Sequence, residues 1–215
     1  MTYTGEVTRG GAPDVRDLAG LTVTKVSVGP MDNNAYLLRS GDDQLLIDAA
    51  DDAGTLVALA GAAGLRTIVT THRHADHWQA LTDVVAATGA ESLAHIDDAA
   101  EIPLVNRTLR DGEHLTVGDA TLEVIQLVGH TPGSIALLYQ EPAGPAHLWT
   151  GDSLFPGGVG NTRKNAANFA SLINDVEHKI FDRFGDDTWF YPGHGKDSTL
   201  GAERPHLPEW RARGW

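Results

Sequence analysis

Cysteine is absent from all 215 residues. That excludes disulfides, thiolate metal ligands and a thiol nucleophile together, so any metal must be held by histidine and carboxylate. Long apolar runs are absent too, since no stretch approaches the ~18 residues of a membrane span. With 41% hydrophobic and 21% charged residues the composition is that of a soluble globular chain. The N-terminal stretch MTYTGEVTRGGAPDVRD has neither the cationic start nor the apolar core of a secretion signal, which makes the cytoplasm the expected address. Cations are scarce: 16 Lys and Arg face 29 Asp and Glu, a formal charge of −13, and no basic stripe interrupts it. A polyphosphate backbone would be repelled, so nucleic acid is not an expected partner, whereas a small anion is acceptable where local cations receive it. No Pro/Ser-rich linker or charge block divides the chain, and residues 1–215 are expected to form a single domain.

What is present begins with short apolar or alternating runs at 21–29, 34–40 and 44–50, broken by Gly, Asp and Asn, which read as a three-stranded meander. An Ala/Leu-rich helix over 53–64 feeds a β-branched strand over 66–71. From Asp76, apolar residues at Trp78, Leu81, Val84 and Val85 keep helical spacing up to Gly89. The second half gives strands at 113–118, 121–129, 134–140 and 146–151, an amphipathic helix over 165–184 and a last strand at 188–193. Strands followed by helices in each half predict two sheets packed face to face with helices outside.

Histidine is concentrated where the strand at 66–71 turns into the helix: His72, His74 and His77 stand with Asp76 within HRHADH. Two histidines two apart at a strand end leave the chain on the same side and can converge on one ion. Asp76 and His77, on the next turn, point at a neighbouring volume, which suits two adjacent metal positions. His and Asp fit zinc at ~2.0–2.2 Å, with coordination left open for water. His130, Asp152 and His194 each follow a predicted strand and a glycine, and together they complete a ligand set.

The stretches HRHADH, GHTPGS, TGDSLF and PGHG, in that order between Val26 and Gly195, resemble the metallo-β-lactamase superfamily of metal-dependent hydrolases. The resemblance implies its αββα sandwich of two mixed β-sheets flanked by helices. It also implies two divalent ions, zinc first, with iron or manganese as alternatives. His72, His74 and His130 would hold the first ion, Asp76, His77 and His194 the second, and Asp152 would bridge them. The Asp of TGDSLF makes the glyoxalase II type the most similar branch, and His74 stands where the flavodiiron oxygen reductases carry glutamate. After GDSLF this chain reads PGGVGNTRKN in place of the Cys-Gly-Arg stretch of glyoxalase II, and the residues given after His194 are not expected to form that enzyme's helical C-terminal domain.

The implied reaction is hydrolysis of a small acyl substrate, a thioester foremost, by a hydroxide bridging the two ions, since bound water falls from pKa 15.7 to about 7. Asp76 would orient that hydroxide. Asp48 is the expected acceptor behind a ligand imidazole, with Thr71 and Thr131 as further candidates. Met31, Trp78 and Phe155 would supply apolar pocket surface, and Arg163 and Lys164 would clamp a substrate carboxylate. Three alternatives stand beside this reading. One is a persulfide dioxygenase with a single iron on His72, His130 and Asp152. Another is a lactonase or other ester hydrolase of the same superfamily, and the third is a non-catalytic metal-binding module. A nuclease of this superfamily would need an insertion and a charge this chain lacks. His95, His114, His147, His178 and His206 read as structural or exposed, and no helix pattern marks an oligomer interface.

Overall fold

Alternation along the early strands decides which side chains go to which layer. In the computed structural model, which describes residues 3–214, β1 (Asp14–Leu18), β2 (Leu21–Ser27), β3 (Asn34–Ser40) and β4 (Asp43–Ile47) form an antiparallel meander. Helix α1 (Ala53–Ala60) and helix α2 (Leu81–Thr88) are the crossovers that let β5 (Thr67–Thr70) and β6 (Glu91–His95) join in parallel, as parallel neighbours require. With β7 (Arg107–Leu109) the first sheet runs β1 to β7 in chain order.

The second sheet contains β8 (His114–Val117), β9 (Ala120–Gln126), β10 (Ile135–Gln140) and β11 (Ala146–Gly151) as an antiparallel series. A small hairpin of β12 (Leu154–Phe155) and β13 (Gly158–Val159), then helix α3 (Ala166–Asp175), lead to β14 (Trp189–Pro192), which pairs parallel with β11. Strand β15 (Ser198–Thr199) closes that edge, and α4 (Leu200–Glu203) and α5 (Leu207–Arg213) end the described chain.

Tyr36, Leu38, Leu45 and Ile47 of the first sheet face Leu122, Val124, Leu137 and Trp149 of the second in the inter-sheet core. Their neighbours Leu37 and Leu46 point outward onto Leu56, Leu81 and Val84 of α1 and α2. On the far side, Ile125, Leu138 and Phe190 meet Leu172, Ile173 and Trp210 of α3 and α5. At ~1.5–3 kcal/mol for each fully buried large side chain, these three apolar layers fix four structural layers, helix, sheet, sheet, helix. This is the expected αββα sandwich of two mixed sheets. Among the described residues no helix is long and apolar enough to cross a membrane.

Several expectations need correction. The α-helix read over 53–64 stops at Ala60 and continues as a 3-10 turn, Gly61–Ala63. The helix read from Asp76 begins as regular helix only at Leu81, because Ala75–His77 is a separate 3-10 turn that carries His77 inward. The helix read over 165–184 is α-helical to Asp175 and then π-helical over Val176–Phe181. Strands β1, β6 and β7, the two-residue strands β12, β13 and β15, and helices α4 and α5 were not anticipated: β7 spans 3 residues and β6 has no β-branched residue.

Candidate metal centre

The loops that follow β4, β5, β9, β11 and β14 meet at one rim of the sandwich, where α/β folds collect their functional groups. His72 Nε2, His74 Nδ1 and His130 Nε2 form a triangle with edges of 3.0, 2.9 and 3.2 Å. Beside it, His77 Nε2 lies 3.2 Å from His194 Nε2, and Asp76 Oδ2 lies 3.6 and 3.3 Å from those two nitrogens. Asp152 stands between the groups, with Oδ1 3.4 Å from His77 Nε2 and Oδ2 3.5 Å from His194 Nε2 and 3.6 Å from His130 Nε2. The structure therefore brings all seven expected ligands together, as two triads that share a carboxylate.

The protein's own atoms fit metal ions in these places. Asp152 Oδ1 is buried with no hydrogen-bond partner. Three neutral imidazoles cannot satisfy one another around a triangle, whereas a tetrahedral ion at ~2.0–2.1 Å from each nitrogen gives edges of about 3.3 Å.

Four of the histidines give their other nitrogen to an acceptor, which leaves the inward nitrogen as a lone pair. His77 Nδ1 meets Asp48 Oδ2 at 2.8 Å, and His72 Nδ1 meets Thr71 Oγ1 at 3.1 Å. His130 Nδ1 meets the Asn161 carbonyl and His194 Nδ1 the Met31 carbonyl, both at 2.9 Å. Asp48 also accepts from Thr71 N at 2.7 Å and Thr71 Oγ1 at 2.8 Å, so one carboxylate fixes both ends of the His72–His77 loop. It does so with φ 58, a left-handed conformation that Asp tolerates better than most residues.

Electrostatics divides the two triads. Burial holds His72, His74 and His130 below the usual imidazole range, His74 at about 4, so all three are neutral with free lone pairs. Burial opposes charge at His77 as well, but Asp152 and Asp48 outweigh it and raise that imidazole well above its usual value. Burial would raise Asp152, yet the surrounding imidazoles, His77 first, hold it well below the carboxylate range. The second triad thus draws in positive charge.

Other expected site residues divide as follows. Phe155 lies against the second triad, its ring 6.3 Å from that of His194. Arg163 Nη2 is 3.4 Å from His74 Nε2, in a cleft of about 360 Å³ lined also by Arg73, Glu101, His130 and Asn168. Thr162 Oγ1 lines the same cleft and is buried without a partner. Lys164 is exposed outside that cleft, and Met31 reaches the centre through its carbonyl while its side chain is 57% exposed. Trp78 packs against the α1 and α2 layer and donates Nε1 to the Arg73 carbonyl at 2.8 Å, so it supports the histidine loop from behind. Thr131 does not serve an imidazole: its hydroxyl donates to Asp98 Oδ2 at 2.5 Å.

Asp98 was not foreseen. Buried, it accepts from Arg73 N and Gly133 N, both at 2.9 Å, and so ties the loop of His72 and His74 to the loop of His130. A reading of β6 as a strand would have exposed it as a strand-end carboxylate like Asp48. Asn33 was missed as well; its Nδ2 donates to Asp76 Oδ2 at 3.0 Å and fixes that carboxylate's rotation.

Comparison with known proteins bears on the family and the fold. A hydroxyacylglutathione hydrolase of Anaeromyxobacter dehalogenans (strain 2CP-C) is 40% identical over 138 residues, covering 61% of this chain and 50% of that protein. The chain thus spans about half the length of that relative. The crystal structure of BLEG-1 B3 metallo-beta-lactamase superposes with a TM-score of 0.76 at 26% identity, covering 87% of this chain and 99% of that one. That of TTHA1623 in a di-iron-bound form gives 0.72 at 30% identity, covering 84% and 96%. The sequence profile of the metallo-beta-lactamase superfamily matches residues 28–202, the span that carries every strand-end histidine and aspartate of the two triads, and the chain belongs to that superfamily.

Proposed function

We propose that the centre holds two divalent ions and hydrolyses a small acyl compound that carries a carboxylate, with a thioester as the foremost class. The observation that supports this is the pair of triads joined by Asp152. His72, His74 and His130 would hold the first ion and Asp76, His77 and His194 the second, with Asp152 placed to serve both. Two ions so held would supply Lewis-acid polarisation of the acyl carbonyl and would acidify a bound water towards a pKa of about 7. Asp76, its rotation set by Asn33, orients the attacking water. Water's oxygen joins the acyl carbon, the C–S bond breaks and a proton passes to sulfur.

The anionic group is argued from donors. With His74 Nδ1 turned to the ion, Nε2 carries hydrogen and faces the Arg163 guanidinium, another donor, at 3.4 Å. Two donors aimed at one cleft need an acceptor, and a carboxylate satisfies both. The glutathione thioesters implied by the relatives' names carry such carboxylates. Zinc is the foremost ion, with iron second because a 30% identical neighbour is a di-iron-bound form.

The test is elemental mass spectrometry on protein purified without added metal, followed by a panel of carboxylated thioesters, uncharged thioesters, lactones and a persulfide donor with oxygen uptake. Two ions per chain and preferential turnover of carboxylated thioesters are expected. One iron per chain with oxygen uptake and no hydrolysis would replace this reading by the dioxygenase, and tightly closed sites without turnover would leave a binding module.

A further inference from the structure

Lys25 lies within β2, fully buried, and its ammonium has three acceptors: Asp197 Oδ1 at 2.6 Å, the Gly5 carbonyl at 2.7 Å and the Gly195 carbonyl at 2.8 Å. Asp197 is buried with it, and Tyr3 Oη donates to its Oδ2 at 2.6 Å. Burial pushes the Lys25 ammonium down and the Asp197 carboxyl up, so desolvation works against both charges. An ion pair of this kind adds little stability over apolar residues of similar volume. Its contacts point to another use.

Gly195 follows His194. Its carbonyl accepts from Asn34 Nδ2 at 3.0 Å as well, while Asn34 Nδ2 and Tyr36 Oη reach the Pro192 carbonyl at 2.9 and 2.6 Å. The backbone is thus gripped on both sides of His194 from β2 and β3. The loops of His72, His74 and His130 are braced by other carboxylates, Asp48 and Asp98, and Asp48 holds His77 as well, so His194 is the histidine of the second triad that neither of them touches.

We propose that the Lys25–Asp197 ion pair is the device that positions His194 at the second metal position: by holding the Gly195 carbonyl it aims that imidazole, and it tunes the affinity of that position without altering the first. This rests on the two-ion reading of the centre.

The experiment is titration of the metal-free full chain with Co²⁺ alone, followed by d–d absorbance and by elemental mass spectrometry. Two binding events per wild-type chain are expected, and a single event would overturn the two-ion reading before any variant is made. In Lys25→Met/Asp197→Leu, which removes both charges, the second event weakens by about tenfold or more while the first keeps its affinity. Lys25→Gln/Asp197→Asn returns an amide donor to the Gly195 carbonyl and recovers most of the second affinity. An unchanged second event in the folded apolar variant, equal weakening of both events, or no recovery by the amide pair would each overturn the positioning role. If circular dichroism shows the apolar variant unfolded, Lys25→Met/Asp197→Asn decides, since it removes the donor to the Gly195 carbonyl and leaves no buried charge: selective weakening of the second event supports the role and unchanged affinity ends it.

Discussion

An imidazole ligand is placed by the acceptor behind it, and at residue scale Asp48 and Arg163 carry opposite kinds of consequence. Asp48→Ala removes the partner of His77 Nδ1 and orphans the buried Thr71 N–H. Metal affinity is expected to fall by about 10–100-fold, read by titration of the metal-free protein. Arg163→Ala touches no ligand nitrogen that faces an ion. It should raise KM for a carboxylated thioester by about tenfold, the worth of one lost charged hydrogen bond, and leave the uncharged thioester unchanged. A drop in kcat for both substrates would place Arg163 elsewhere in the reaction. His147 is a separate case, buried beside the Tyr191 hydroxyl at 3.0 Å, with its pKa lowered from 6.5 to about 4 by burial, then by Arg16. The unfolded chain takes up that proton first, so the stability His147 contributes is complete above pH 6.5 and is lost as pH falls towards 4. The loss is of order 3 kcal/mol, and urea titrations of metal-free protein at pH 7 and 4.5 should show it shrinking in His147→Gln.

Among the elements, the loop after β14 has no slack. A Cβ on Gly193 would sit 2.4 Å from Asp152 Oδ1 and 2.6 Å from His77 Cε1. Gly193→Ala is therefore expected to keep its far-UV dichroism and lose most bound metal in elemental analysis, and full metal retention would contradict the close approach described. The elements that carry ligands were also the most legible ones. The strands before His72, Asp152 and His194 are apolar and end in turn residues, so sequence alone placed their side chains at strand ends, whereas the strand read over 121–129 ends at Gln126 and His130 stands on the loop beyond it. Strands β6 and β7 were not legible because ESLAH and RTL lack a run of β-branched residues; the sheet they join makes them strands. Asp98 disappeared with β6. The Lys25–Asp197 pair was hidden for another reason: a lysine within an alternating strand reads as solvent-facing, and only the packing of the far loop buries it.

For the whole molecule, the centre works as a clasp across the two sheets, since Asp76 and His77 follow β5 of the first and Asp152 and His194 follow β11 and β14 of the second. An ion at a hundredfold excess over its Kd adds ~2.7 kcal/mol, and a chain of this size changes its Tm by ~2–4 °C per kcal/mol. Stripping both ions should lower Tm by roughly 10–20 °C, measured by calorimetry with and without chelator. Of the global design, the four layers and the charge were readable from patterning, while the three separate apolar layers required the register of facing strands.

The clasp also has a history each time the chain is made. Its candidate ligands are made in order, His72, His74, Asp76 and His77, then His130, then Asp152, and His194 last. Synthesis from the N-terminus therefore makes all three histidines of the first triad before Asp152 and His194. The two halves of the clasp are thus separated in time as well as in space, since the second waits for β11 and β14 to be made.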